Sequence, residues 1–151
     1  MLQRLLGDRQ GEAAVLANLG YTYCRLGRHA DAFSFQQQAL TLARATGDTD
    51  LESEIHNDLG QTHCAARQFG GALARHYRAL DLAERTGNRL QQARARHGIA
   101  RAHHLWGEHE LARAHWRAAL AVYTELGVVE AGQLREELAG LDPQCHPEPS
   151  R

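Results

Sequence analysis

The stretch Leu19-Gly20-Tyr21-Thr22-Tyr23-Cys24 returns as Leu59-Gly60-Gln61-Thr62-His63-Cys64, and its outline returns again as Ile99-Ala100-Arg101-Ala102-His103-His104. The interval, about 40 residues, is of the length that marks helical repeat arrays. Shifting the chain by that interval also lays Gly7-Asp8 on Gly47-Asp48 and on Gly87-Asn88. Ala32, Ala72 and Ala112 align, as do Ala39-Leu40, Ala79-Leu80 and Ala119-Leu120, and Gly127 closes the series begun at Gly47 and Gly87. The small and apolar positions repeat while the charged positions between them vary, as packed helices require and compositional bias does not. Each unit reads as two helices. The first starts at the Gly-Asp or Gly-Asn pair, whose acid or amide can cap the opening amides, and runs to about Leu26, Ala66 and Trp106. A turn follows at Gly27, Arg67-Gln68 and Gly107. The second runs to Thr46, Thr86 and Leu126, where glycine supplies a left-handed terminating residue.

Proline is absent before Pro143, and helix-forming alanine, leucine, arginine, glutamine and glutamate dominate. The expected fold class is therefore all-α: a helical-hairpin solenoid of three repeats plus a C-terminal capping helix. The repeats fall at about 7–46, 47–86 and 87–126, with a cap helix at 128–140. Together they fill a domain at 1–141, followed by a flexible, proline-containing tail at 142–151. Gly20 and Gly60 allow close approach of the paired helices opposite Ala32 and Ala72, while Leu19, Leu59, Ile99, Leu40, Leu80 and Leu120 fill the layers. Phe33, Tyr77, Trp106 and Trp116 are expected in the core, given their helical spacing. Residues 1–6 align with the end of a second helix, so the amino terminus reads as a cut inside a repeat. The surface left there by Leu2, Leu5, Leu6 and Val15 is expected to support weak homodimerisation.

Composition narrows the function. Seventeen basic residues against eighteen acidic ones give a formal charge of −1, which argues against direct nucleic-acid binding. No apolar run is long enough for a membrane span, and the first residues lack the features of a secretory signal. Three cysteines, Cys24, Cys64 and Cys145, carry no CxxC spacing and suit a reducing, cytoplasmic setting. Ten histidines raise the question of metal, but Cys24, Cys64 and His104 sit on helices ~8–10 Å apart, too far for one zinc with ~2.3 Å sulfur bonds. The same spacing opposes a Cys24–Cys64 disulfide. There is no phosphate loop, nucleophile elbow or HExxH. No metal, no cofactor and no catalytic residue is expected.

The residues of the repeat resemble the tetratricopeptide signature, W-x2-L-G-x2-Y followed by A-x3-F and P. It is approached by Leu16, Leu19-Gly20 and Tyr23 with Ala32; by His56, Leu59-Gly60 and His63 with Ala72; and by Arg96, Ile99-Ala100 and His103 with Ala112 and Trp116. Arg44, Glu84 and Thr124 replace the closing proline, so the second helix runs on and the unit lengthens from ~34 to ~40 residues. This is similar to the long-repeat branch that includes kinesin light chain and the Leu-Gly-Asn scaffolds. The phrases Ala112-Arg113-Ala114-His115-Trp116-Arg117-Ala118-Ala119-Leu120 and Tyr123-Thr124-Glu125-Leu126-Gly127 resemble the last repeat of actinomycete antibiotic regulatory proteins.

That resemblance implies a module for binding a protein or peptide, the regulatory tail of a larger cytoplasmic transcriptional or signalling regulator. The alternative is a self-associating scaffold whose groove binds no ligand. By the family's geometry, first helices line the groove, which would present Tyr21, Asn57, Gln61, His97, Arg101 and His104, with Ala17, Cys24, Arg25, Cys64 and Arg94 beside them. Asn57-Gln61-Cys64 and His97-Arg101-His104 each fall on one helical face. Arg94, Arg96, Arg101, Arg113 and Arg117 make the third unit basic, which would favour an acidic partner. Internal pairing with Glu54 and Asp58 is the competing reading.

Overall fold

The computed structural model describes residues 2–141, with side chains from residue 8 onward. The side chains of Leu2, Leu5 and Leu6, and the tail expected at 142–151, lie outside the described residues. Seven helices follow one another: α1 (Leu2–Arg25), α2 (His29–Thr46), α3 (Thr49–Ala65), α4 (Phe69–Thr86), α5 (Arg89–Leu105), α6 (His109–Leu126) and α7 (Val129–Leu141). No strand occurs among the described residues. The three hairpins are α1–α2, α3–α4 and α5–α6, and α7 closes the array against α6.

The punctuation is chemical. Asp48 and Asn88 cap α3 and α5, each side chain accepting a 3.1 Å bond from the amide three residues on. Gly47, Gly87 and Gly127 end the second helices at φ of 68°, 69° and 68°. That left-handed step lets the following amide reach back, as in Asp48 N–H to the Ala43 carbonyl at 3.0 Å. The boundary expected at Gly7-Asp8 is different: α1 runs through it without a break. Residues 2–6 therefore extend α1 instead of forming a separate helix end.

Two kinds of packing hold the array. Within a hairpin, a small residue faces a larger one: Gly20 meets Gln36, Gly60 meets His76, and a methyl group at Gly20 would sit 2.5 Å from Gln36 Cγ. Between hairpins, Ala39, Leu40 and Ala43 of α2 pack with Ile55 and Leu59 of α3, and Ala79 and Leu80 of α4 with Ala95 and Ile99 of α5. Ala32, Ala72, Ala112, Leu59 and Ile99 are fully buried as expected. Leu19 is not: it is 39% exposed, because no helix lies on that side of α1 among the described residues. Tyr77 and Trp106 also depart from expectation, being 46% and 54% exposed on the outside of the array, while Trp116 is buried.

The curvature follows from which helices touch. The backbones of α1 and α3, and of α3 and α5, approach closely, whereas those of α2 and α4, and of α4 and α6, do not; the Tyr77 and His115 rings bridge α4 to α6, edge to face at 6.3 Å. First helices therefore crowd the inside of the bend and second helices splay on its outside. The inner face is the groove.

Candidate functional site

A helix advances about 100° per residue, so the stripe facing the groove is fixed once one residue on it is known. Gln61 faces outward and lines both cavities of the groove. Its stripe on α3 is Glu54, Asp58 and Gln61, which corresponds in the repeat register to Asn18 and Tyr21 on α1 and to Arg94 and Arg101 on α5. The expected trio Asn57-Gln61-Cys64 is centred about 60° away. That rotation explains where the expectation failed. Asn57 is only 3% exposed. Its amide donates to the Gln91 side chain at 3.0 Å, and its carbonyl accepts from His76 Nδ1–H at 2.9 Å. It ties α3 to α4 and α5, and its polar atoms are already engaged there.

The other expected residues divide. Tyr21 (45% exposed) and Gln61 lie open on the groove, and Arg101 is half-exposed. His97 is mostly covered: its Nε2–H donates to Glu137 at 2.8 Å and its Nδ1 accepts from the Tyr123 hydroxyl at 3.3 Å. His104 lies at the turn edge, with its ring 5.3 Å from Trp116 and its Nδ1 3.0 Å from His109 Nδ1. Cys64 is buried, which pushes its thiol up and away from reactive thiolate character.

Sequence reasoning missed the part played by α7. Two of its acidic residues turn inward. Glu130 accepts from Arg94 at 2.6 Å, and Glu137 from Arg101 at 3.0 and 3.1 Å as well as from His97. Burial pushes the Glu137 carboxyl up, but the hydrogen bonds from His97 and Arg101 outweigh it and hold that carboxyl at about 2. Arg94 and Arg101 of the third unit are thus paired internally, with α7 as partner instead of Glu54 and Asp58. The signal that could have shown this is the register: Glu137 stands one full repeat after His97.

Gln61 divides the groove into two cavities. One, of about 290 Å3, is lined by Cys24, Arg25, Cys64, Arg101 and Leu105, with His76 and Gly98 at its floor. The other, of about 400 Å3, is lined by Asn18, Tyr21, Glu54, Asp58, Arg94 and Glu130. The first is apolar with a basic rim and the second acidic. Among the described residues no set of three or more histidine, cysteine or carboxylate ligands converges as a metal site.

The family model described as Tetratricopeptide repeat matches residues 11–84 and again residues 51–125, two passes offset by one repeat. No curated protein sequence matches the chain. Among solved structures it is similar to aspartyl phosphate phosphatase F from Bacillus subtilis, with TM-score 0.75 and 16% identity over 91% of this chain and 38% of that one. It is similar to the TPR domain of Arabidopsis FLU, with TM-score 0.69 and 21% identity over 75% of this chain and 95% of that domain. BtubC (BKLC) from P. vanneervenii follows, with TM-score 0.63 and 20% identity over 92% and 67%. At these identities the likeness is one of fold.

Proposed function

The chain belongs to the tetratricopeptide repeat family, and we propose that it is a non-catalytic interaction module that holds an extended segment of a partner protein along its first-helix groove. The observation that carries this reading is the continuous inner face of α1, α3 and α5, with two cavities joined at Gln61. Open side chains with hydrogen-bonding tips, Tyr21, Gln61 and Arg101, stand along it at one-repeat intervals. They suit a peptide backbone, which offers a donor and an acceptor at every residue. Arg25 and Arg101 at the rim of the smaller cavity are where an acidic group of the partner would sit. The module serves as the regulatory repeat tail of a larger cytoplasmic regulator, consistent with the resemblance of its last repeat to such tails. No helix among the described residues is long and apolar enough to cross a membrane.

A groove-blocking substitution tests the reading. Gln61→Trp fills the ridge between the cavities without touching the core. Affinity capture of a partner by the intact chain should be lost with that variant while its helical circular dichroism is unchanged. Capture that survives Gln61→Trp would place the binding surface elsewhere.

One observation favours a second reading, a self-associating scaffold. Val15 and Leu19 are 58% and 39% exposed on the outer side of α1, and Leu26 is 66% exposed just beyond its end. Sedimentation should show weak dimerisation that Val15→Glu with Leu19→Glu abolishes; a strict monomer at high concentration would remove this alternative.

A further inference from the structure

We infer that the larger cavity is a pocket for a basic side chain, arginine or lysine, of the partner segment. The inference rests on the groove reading and adds the chemistry of what the groove selects. Three carboxyl groups, Glu54, Asp58 and Glu130, share this cavity with a single guanidinium, Arg94. Arg94 is turned to Glu130, at 2.6 Å. Among the described residues, neither the Asp58 nor the Glu54 carboxyl group has a hydrogen-bond or ion-pair partner. The rest of the wall, Asn18, Tyr21, Asn57, Gln61 and Gln91, contributes neutral polar groups and no second cation.

Asp58 makes the vacancy chemical. A carboxyl group recessed in a cavity without a protein donor gives up part of its hydration and gains nothing in return. Burial first, then the neighbouring Glu54, push its carboxyl up to about 7, against the opposing pull of Arg94. A guanidinium or ammonium entering the cavity would supply the missing donor to Asp58 and Glu54 together. The cavity, at about 400 Å3, has room for a long basic side chain, whose aliphatic stem would lie along Tyr21. Specificity would arise because an acidic side chain there adds a fourth carboxyl group to a cavity that already crowds three, and a neutral one leaves Asp58 unpaired.

The test uses labelled octapeptide pools, randomised except for one central residue fixed as Arg, Gln or Glu, applied to the immobilised chain at physiological salt. The Arg pool should be retained at least threefold over the Gln pool, and the Glu pool least. Glu54→Gln with Asp58→Asn should abolish that preference; Glu54→Gln alone, at an exposed position, should reduce it and guards against misfolding of the double variant. Glu84→Gln with Glu110→Gln, which removes the same charge away from the groove, should leave the preference intact. Equal retention of all pools, or a preference that survives the double variant, would overturn the basic-side-chain inference and leave the groove reading standing. Retention of every pool no better than by Gln61→Trp would overturn the groove reading and this inference with it.

Discussion

Units one and two carry the same repeat and have opposite fates. Val15 is 58% exposed and its counterpart Ile55 not at all; Leu19 is 39% exposed and Leu59 not at all. The difference lies in the neighbours. α3 has α2 on one side and α4 and α5 on the other, whereas α1 meets only α2 and α3. A residue's contribution in such an array is set by the interface it faces more than by its place in the repeat, the quasi-one-dimensional behaviour of solenoids. The same contrast extends to polar groups. Unit two buries Ser53, His56, Asn57, Thr62 and His76. Ser53 donates to the Ala79 carbonyl at 2.9 Å and Thr62 to Gln36 at 3.0 Å, so the central unit is bonded to itself and to its neighbour.

The largest expected effect separates the two leucines. Leu59→Ala removes a fully buried side chain and should cost about 2–5 kcal/mol in urea denaturation, as buried leucine truncations do. Leu19→Ala should cost less than about 1 kcal/mol, since its side chain already meets solvent. Equal losses would show that α1 is covered in solution and would strengthen the self-association reading.

Glycine sharpens the contrast inside the hairpins. A methyl group at Gly98 would fall on the ring of His76, which Gly60 crowds from the other side. The ring is almost wholly buried and held by Asn57, so giving way would strain that hydrogen bond. Gly98→Ala should cost about 1–3 kcal/mol as overpacking. Gly20→Ala presses only on the flexible Gln36 chain, and should cost visibly less by thermal denaturation. A larger loss at Gly20 would mean that the end unit is packed as rigidly as the middle one.

The fold was legible because it is written in periodic signals: the repeat register, the capping Asp48 and Asn88, and the glycines at 47, 87 and 127. The groove was only half legible. The family resemblance placed it on the first helices, but which stripe of a helix faces inward depends on the angle between hairpins, which no single helix encodes. A rotational error of less than one residue's advance sent Asn57 to the surface and left Glu54 and Asp58 as bystanders. The inward turn of Glu130 and Glu137 was hidden for another reason. A polar helix at the end of an array reads as solvated, and only its docking shows that Arg94, His97 and Arg101 draw two of its carboxylates in.

Acid should act on the middle unit before the end. His56 lies where unit one has Leu16, is 2% exposed, and neither ring nitrogen has a hydrogen-bond partner. Burial first, then Arg75, Arg44 and Arg78, lower its pKa to about 4, with Glu52 the facing carboxylate at 3.8 Å. A histidine depressed in the folded state takes up its proton more readily when unfolded. Its contribution is therefore intact above 6.5 and is lost progressively as pH falls from there toward 4. At pH 5 the loss is about 2 kcal/mol. His56→Leu, which gives unit two the residue of unit one, should shrink the stability difference between pH 7.5 and pH 5 by about that amount. The raised carboxyl of Asp58 changes in the opposite sense but equally in both proteins, and it cancels. Parallel pH profiles would show that His56 is protonated in the folded protein.

The smallest effect concerns the turn between helices, where unit two alone departs from glycine. Gly27 and Gly107 take φ of 77° and 92°, and Arg67 holds the same left-handed turn at φ 60°. The turn's bonds survive the departure: Arg67 N–H reaches the Cys64 carbonyl at 3.0 Å and Gln68 N–H the His63 carbonyl at 2.8 Å. A side chain in this region costs about 1–2 kcal/mol against a right-handed conformation. Part of that is returned by the Arg67 guanidinium, which lies 5.3 Å from the Phe69 ring centroid, a contact worth about 0.5–1 kcal/mol at an exposed site. Glycine would relieve the strain, lose the ring contact and add freedom to the unfolded chain. Arg67→Gly should accordingly raise stability by only about 0.5 kcal/mol. Gly27→Arg imposes the strain on unit one, where Phe69 has no counterpart but His29, and should lower stability by about 1 kcal/mol. Opposite signs in paired thermal melts are the expected result. Two losses of equal size would mean that the Arg67–Phe69 contact, not the backbone, decides how unit two makes its turn.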